Sequence, residues 1–72
     1  MSRNRTVIPK ATVARILSNA GAKRISDDAV DTFTEVLTEL ATKISTKAID
    51  MAKHSGRKTV NDKDIKLAAK TH

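Results

Sequence analysis

A chain of 72 residues holds one domain at most, and at that size an apolar core is marginal unless a disulfide, a metal or a second chain supports it. There is no cysteine, and His54 and His72 are the only histidines, so a disulfide and a closed metal site are both excluded and a partner chain is the remaining support. Fourteen Lys and Arg against eight Asp and Glu give a net charge of +6, and no run of about 18 apolar residues offers a membrane span.

Residues 1–7 read as a short basic extension carrying Arg3 and Arg5, expected to be flexible, with no apolar stretch of the secretory kind after it. A single domain is expected over residues 8–72. Its first helix follows Pro9, repeats Val13, Ile16, Leu17 and Ala20 at helical spacing, and ends at Gly21 as a C-terminal cap would have it. The second starts at Ser26, an N-cap with Asp27, Asp28 and Asp31 against the positive end of the helix dipole. Its apolar positions run from Val30 and Phe33 to Met51 and Ala52, and no glycine or proline interrupts it before Gly56. Thr34, Thr38, Thr42 and Thr46 recur every fourth residue and are expected to face solvent. The third helix is capped by Asn61 and is expected to bury Ile65, Ala68 and Ala69, with Leu67 beside them.

The middle helix decides the architecture expected. From Asp27 to Lys53 it would run about 40 Å, whereas a compact monomer of this size is about 29 Å across. Two short flanking helices cannot cover its apolar faces. An all-α dimer built around paired long helices follows.

The charge is unevenly placed along these elements. Residues 1–24 hold six bases and no acid; residues 25–52 hold six acids against Lys43 and Lys47; residues 53–72 hold six bases against Asp62 and Asp64. Both loops, Gly21 to Ser26 and Gly56 to Asn61, run from glycine through a basic pair (Lys23 and Arg24, Arg57 and Lys58) to a β-branched residue and an N-cap. Clustered cations beside helix starts are what phosphate oxygens bind. In an antiparallel dimer, grips of this kind would lie about 40 Å apart, close to one duplex turn of about 34–36 Å. Double-stranded DNA is the partner expected. Phe33, the single aromatic, offers no stacking platform for single strands, and no helix is lined for the major groove. Asp27 and Asp28 read as capping acids with no nucleophile or base beside them, so no enzyme, cofactor, metal or small-molecule substrate is expected.

The chain resembles the archaeal histones from Ile8 to Lys70. The residues that carry the resemblance are Arg15-Ile16, the stretch from Asn19 to Ala29, the stretch from Ala48 to Val60, and Asp64 to Ala68. The resemblance implies the histone fold, a short, a long and a short helix paired head to tail in a handshake dimer. It implies an architectural chromatin protein of the cytoplasmic nucleoid that binds, bends and wraps DNA with little sequence specificity; the alternative is a histone-fold interaction subunit of a transcription or repair complex. It assigns Arg15 to the minor groove, and Arg24, Ser26, Lys58 and Thr59 to phosphates. It pairs Arg57 with Asp64 to hold the second loop, which leaves Arg57 a secondary DNA contact. Met51, His54, Asp64 and Leu67 map to the contact that joins dimers, so continued polymerisation along DNA is expected. Glu35 and Glu39 would face Lys66 and Lys70 if wrapped layers stack.

Overall fold

A computed structural model of the protein describes residues 8–71; the basic extension over residues 1–7, and His72, lie outside them. Helix α1 runs Lys10–Asn19, α2 Asp27–His54 and α3 Asp62–Lys70, with no strand among the described residues. The chain is all-α, in the short–long–short order expected. It falls into two compact units divided inside α2 after Glu39. The first is α1, its loop and the start of α2; the second is the end of α2, the next loop and α3. Each is a helix–loop–helix.

The two loops leave their helices by one hydrogen-bond pattern. At the end of α1 the Gly21 N–H donates to the Ser18 carbonyl (3.0 Å) and the Ala22 N–H to the Leu17 carbonyl (3.1 Å). At the end of α2 the Gly56 N–H donates to the Lys53 carbonyl and the Arg57 N–H to the Ala52 carbonyl, both at 2.9 Å. This is the Schellman closure, which satisfies carbonyls that a helix end would otherwise leave bare. It needs a residue at positive φ, and Gly21 (115°) and Gly56 (73°) supply it without steric cost.

The helix starts differ more. Pro9 opens α1 with an extended ψ of 137° and no side-chain cap. Ser26 opens α2, its Oγ accepting the Ala29 N–H at 3.0 Å, and Asp27 and Asp28 fill the first turn while Lys53 and His54 fill the last. Asn61 opens α3 with a reciprocal cap: its side chain accepts the Asp64 N–H (3.1 Å), and the Asp64 carboxylate accepts the Asn61 N–H (3.0 Å).

Two expectations about burial fail. Thr34 is 2 % exposed rather than facing solvent. Its hydroxyl donates to the Val30 carbonyl at 2.7 Å, and that bond lets a polar side chain be buried. Thr38 and Thr46 bond back in the same way to the carbonyls of Thr34 and Thr42. Ile65 is 42 % exposed and Leu67 52 %; α3 buries Ala68 as expected, but with Asp64 beside it rather than Ile65, and Ala69 is half-buried. Among the described residues the buried apolar side chains are all small ones, Val13, Ala48, Ala52 and Ala68, while Ile16, Val36, Ile49 and Val60 join Ile65 and Leu67 among the exposed. Helical spacing marks which side of a helix is apolar, but burial needs something to cover that side.

Candidate nucleic-acid interface

The first loop presents its cations freely. Lys23 and Arg24 are exposed and have no ion-pair or hydrogen-bond partner among the described residues. Ser26 is also exposed. Its oxygen is taken up by the cap, which leaves its hydroxyl proton free to donate to an anion. A groove beside this loop is lined by Leu17, Ala22, Arg24, Ile25, Ser26 and Ala29. Arg15 is exposed on α1, upstream of that groove.

The second loop is tied to its own helix. The Arg57 guanidinium donates from Nη1 to Asp64 Oδ2 (3.0 Å) and from Nη2 to Asp64 Oδ1 (2.9 Å), and Nη1 also donates to the Thr59 carbonyl (2.9 Å). Both carboxylate oxygens are thereby occupied, one of them twice, since Oδ2 also takes the Asn61 N–H. The Asp64 side chain is only 7 % exposed and that of Arg57 36 %. Hydrogen bonds from Arg57, then from the Asn61 N–H, hold the Asp64 carboxyl below the usual carboxylate range against the opposing effect of burial. The same pair raises the Arg57 guanidinium above its ordinary value. The fork geometry fixes the loop, with Lys58 and Thr59 exposed at its tip. The groove here is lined by Ile49, Ala52, Lys53, Arg57, Lys58 and Val60.

The two grooves use equivalent places, counted from each glycine: Leu17 and Ala52, Ala22 and Arg57, Ile25 and Val60. The structure therefore gathers Lys23, Arg24 and Ser26 in one loop and Arg57, Lys58 and Thr59 in the other. The positions expected to join dimers divide by burial: Met51 is half-buried, His54 and Leu67 are exposed, and Asp64 is buried in the loop tie. His54 Nδ1 lies 2.9 Å from the Asp50 carbonyl one turn back, so that nitrogen carries the proton.

Two contacts were not legible in the sequence. Lys10 and Asp31 form an ion pair at 2.6 Å, both well exposed. The hydrogen bond and charge of Asp31, with Asp27 and Glu35 further off, raise the Lys10 amine above its ordinary value. Lys47 donates to the Thr71 carbonyl and so covers the end of α3. Partners 21 and 24 positions apart leave no periodic signal; only a helix known to lie alongside would have revealed them.

Comparison with known proteins gives the family. The pattern of the family described as "Histone-like transcription factor (CBF/NF-Y) and archaeal histone" matches residues 6–69. An archaeal histone of Thermococcus zilligii is 43 % identical over 63 residues, covering 88 % of this chain and 94 % of the relative. A probable archaeal histone of Methanocaldococcus jannaschii is 46 % identical over 61 residues, covering 85 % and 91 %.

Proposed function

This chain belongs to the family of histone-like transcription factors and archaeal histones, and from that premise we propose that it is a non-enzymatic chromatin protein of the nucleoid which, as a head-to-tail homodimer, binds, bends and wraps double-stranded DNA. The observation that carries this is the pair of loops. Each leaves a helix through a positive-φ glycine, presents cations, and ends on a side-chain-capped helix start. Cations beside oriented backbone N–H groups suit phosphate oxygens, which are the same whatever the base sequence.

Lys23, Arg24, Ser26, Lys58 and Thr59 take phosphates, Arg15 enters the minor groove, and Arg57 chiefly fixes the second loop. Exposure of Ile16, Val36, Ile49, Val60, Ile65 and Leu67, each between 38 % and 52 %, supports a second copy as part of the fold. Dimers then join through Met51, His54, Asp64 and Leu67, and extend along the duplex. The family also includes transcription factors, but both named relatives are archaeal histones matched over nearly their full length, which favours the architectural role.

Light scattering at low concentration tests the dimer; a stable folded monomer would refute it. Fluorescence anisotropy on a short duplex tests the grip. Affinity is expected to fall steeply with salt and to vary little among mixed sequences, and Lys58→Ala to reduce the log–log salt slope by about one unit. A shallow slope, or strong preference for one sequence, contradicts phosphate binding.

A further inference from the structure

Neither loop accounts for one charged surface of α3. Lys63, Lys66 and Lys70 are all exposed, and none has an ion-pair or hydrogen-bond partner among the described residues. They stand three and four places apart, so at about 100° per residue they share an arc of about 60° and form one ridge. Asp64 lies about 100–160° around the helix from each of them. Asp64 is the carboxylate that holds Arg57, so the second loop lies on its side of α3 and the ridge turns away from it. A duplex gripped at Lys58 and Thr59 leaves these three cations unused.

The ridge's dimensions suit one kind of occupant. From Lys63 to Lys70 the helix rises about 10 Å, which spans about three phosphates of one strand at about 3.4 Å of axis each. A second copy of the chain offers Asp28, Asp31 and Glu35 at the same spacing, but Asp31 is already paired with Lys10 at 2.6 Å; its Glu35 and Glu39 match only Lys66 and Lys70 and leave Lys63 over. The chain as a whole carries 14 bases against 8 acids, so contacts between copies leave cations in excess. A DNA duplex offers an unbroken row of anions and needs no such pairing.

We propose that Lys63, Lys66 and Lys70 form a second polyanion-binding face that takes a second DNA duplex, so that the protein bridges two duplexes as well as gripping one. This rests on the DNA-binding role argued above. The two faces act together: once the loops hold one duplex, the α3 ridges of neighbouring copies present many weak cationic contacts to another.

The test uses the full chain, with one duplex immobilised on beads and a second, fluorescent duplex in solution. Anisotropy on a single short duplex is measured in parallel. The variant K63Q/K66Q/K70Q changes only exposed side chains, and circular dichroism checks its fold. It is expected to capture about tenfold less of the second duplex, while its affinity and salt slope on a single duplex stay within about threefold of the parent. Undiminished capture by the triple variant overturns the proposal. So does equal loss of capture in D28N/E35Q/E39Q, because the ridge would then be meeting another copy's acids. If the parent binds a single duplex but captures no second one, the bridging inference alone falls. If it binds no duplex at all, the DNA-binding role beneath it falls instead.

Discussion

The loop between α1 and α2 and the loop between α2 and α3 leave their helices through the same pair of backbone hydrogen bonds and reach the next N-cap over the same number of residues. Two of their sequence differences matter most for the turn. Where the first has Ala22 and Ala29, the second has Arg57 and Asp64, which reach across the turn and lock it. The locked loop uses one of its two cations to hold itself. The unlocked loop leaves Lys23 and Arg24 without a partner among the described residues and relies on backbone bonds and one serine cap for its shape. Rigidity and free charge oppose each other, and each unit of the chain strikes a different balance.

The sharpest way to break the comparison is Asp64→Ala. It strips the acceptors from Arg57, leaves the Asn61 N–H without its carboxylate, and removes half of the α3 cap. The largest fall in melting temperature of any change named here is expected, read at fixed protomer concentration. Acid should imitate it. The folded pKa of Asp64 is depressed, so its contribution is complete above the ordinary carboxylate value of about 3.9 and is lost as pH falls through the lower folded value. Melts from neutral pH downward should show this acid loss in the parent and a flatter profile in Asp64→Asn.

Next come the glycines. A Cβ at either position meets nothing within 4 Å, so backbone conformation alone sets the cost. Gly21 at φ 115° lies beyond the left-handed region that other residues visit, whereas Gly56 at 73° sits at its edge. Gly21→Ala should cost about 1–3 kcal/mol and Gly56→Ala about 1 kcal/mol by urea unfolding. Equal costs would show that the two turns are less different than their dihedral angles.

A smaller effect belongs to Ser26→Ala, at about 1 kcal/mol for the lost cap. The same substitution removes a hydroxyl donor, so a weaker grip on a short duplex should accompany it. The reverse experiment, Ala22→Arg with Ala29→Asp, copies the lock into the first loop. Amide exchange there should slow while binding through Lys23 and Arg24 is kept; unchanged exchange would mean that the lock needs more than its two residues. The smallest effect is expected for Lys10→Gln. Its pair with Asp31 is exposed on both sides and should barely move the melting temperature at physiological salt.

Much of this molecule is visible in one dimension. The end of α1, both ends of α2 and the start of α3 fall where Gly21, Ser26, Gly56 and Asn61 mark them, because caps and positive-φ turns are local demands on particular residue types. The cationic loops are equally visible, since charge is read directly from composition. The Arg57–Asp64 tie was implied only by family resemblance, for a separation of seven residues across a turn has no periodic signature. Lys10 with Asp31 and Lys47 with Thr71 gave no signal at all, because each joins different helices.

The sequence by itself determined the helices, where they stop, and the charge that each loop and α3 would carry. All of these depend on neighbours within about two turns. Only the tertiary structure decided that Thr34 is buried with its hydroxyl turned back onto Val30, that Asp64 is shut into the second loop, and that Ile65 and Leu67 stay open. Those outcomes depend on what lies against each face once the chain has folded back, and a face can be apolar by pattern yet still lack a cover.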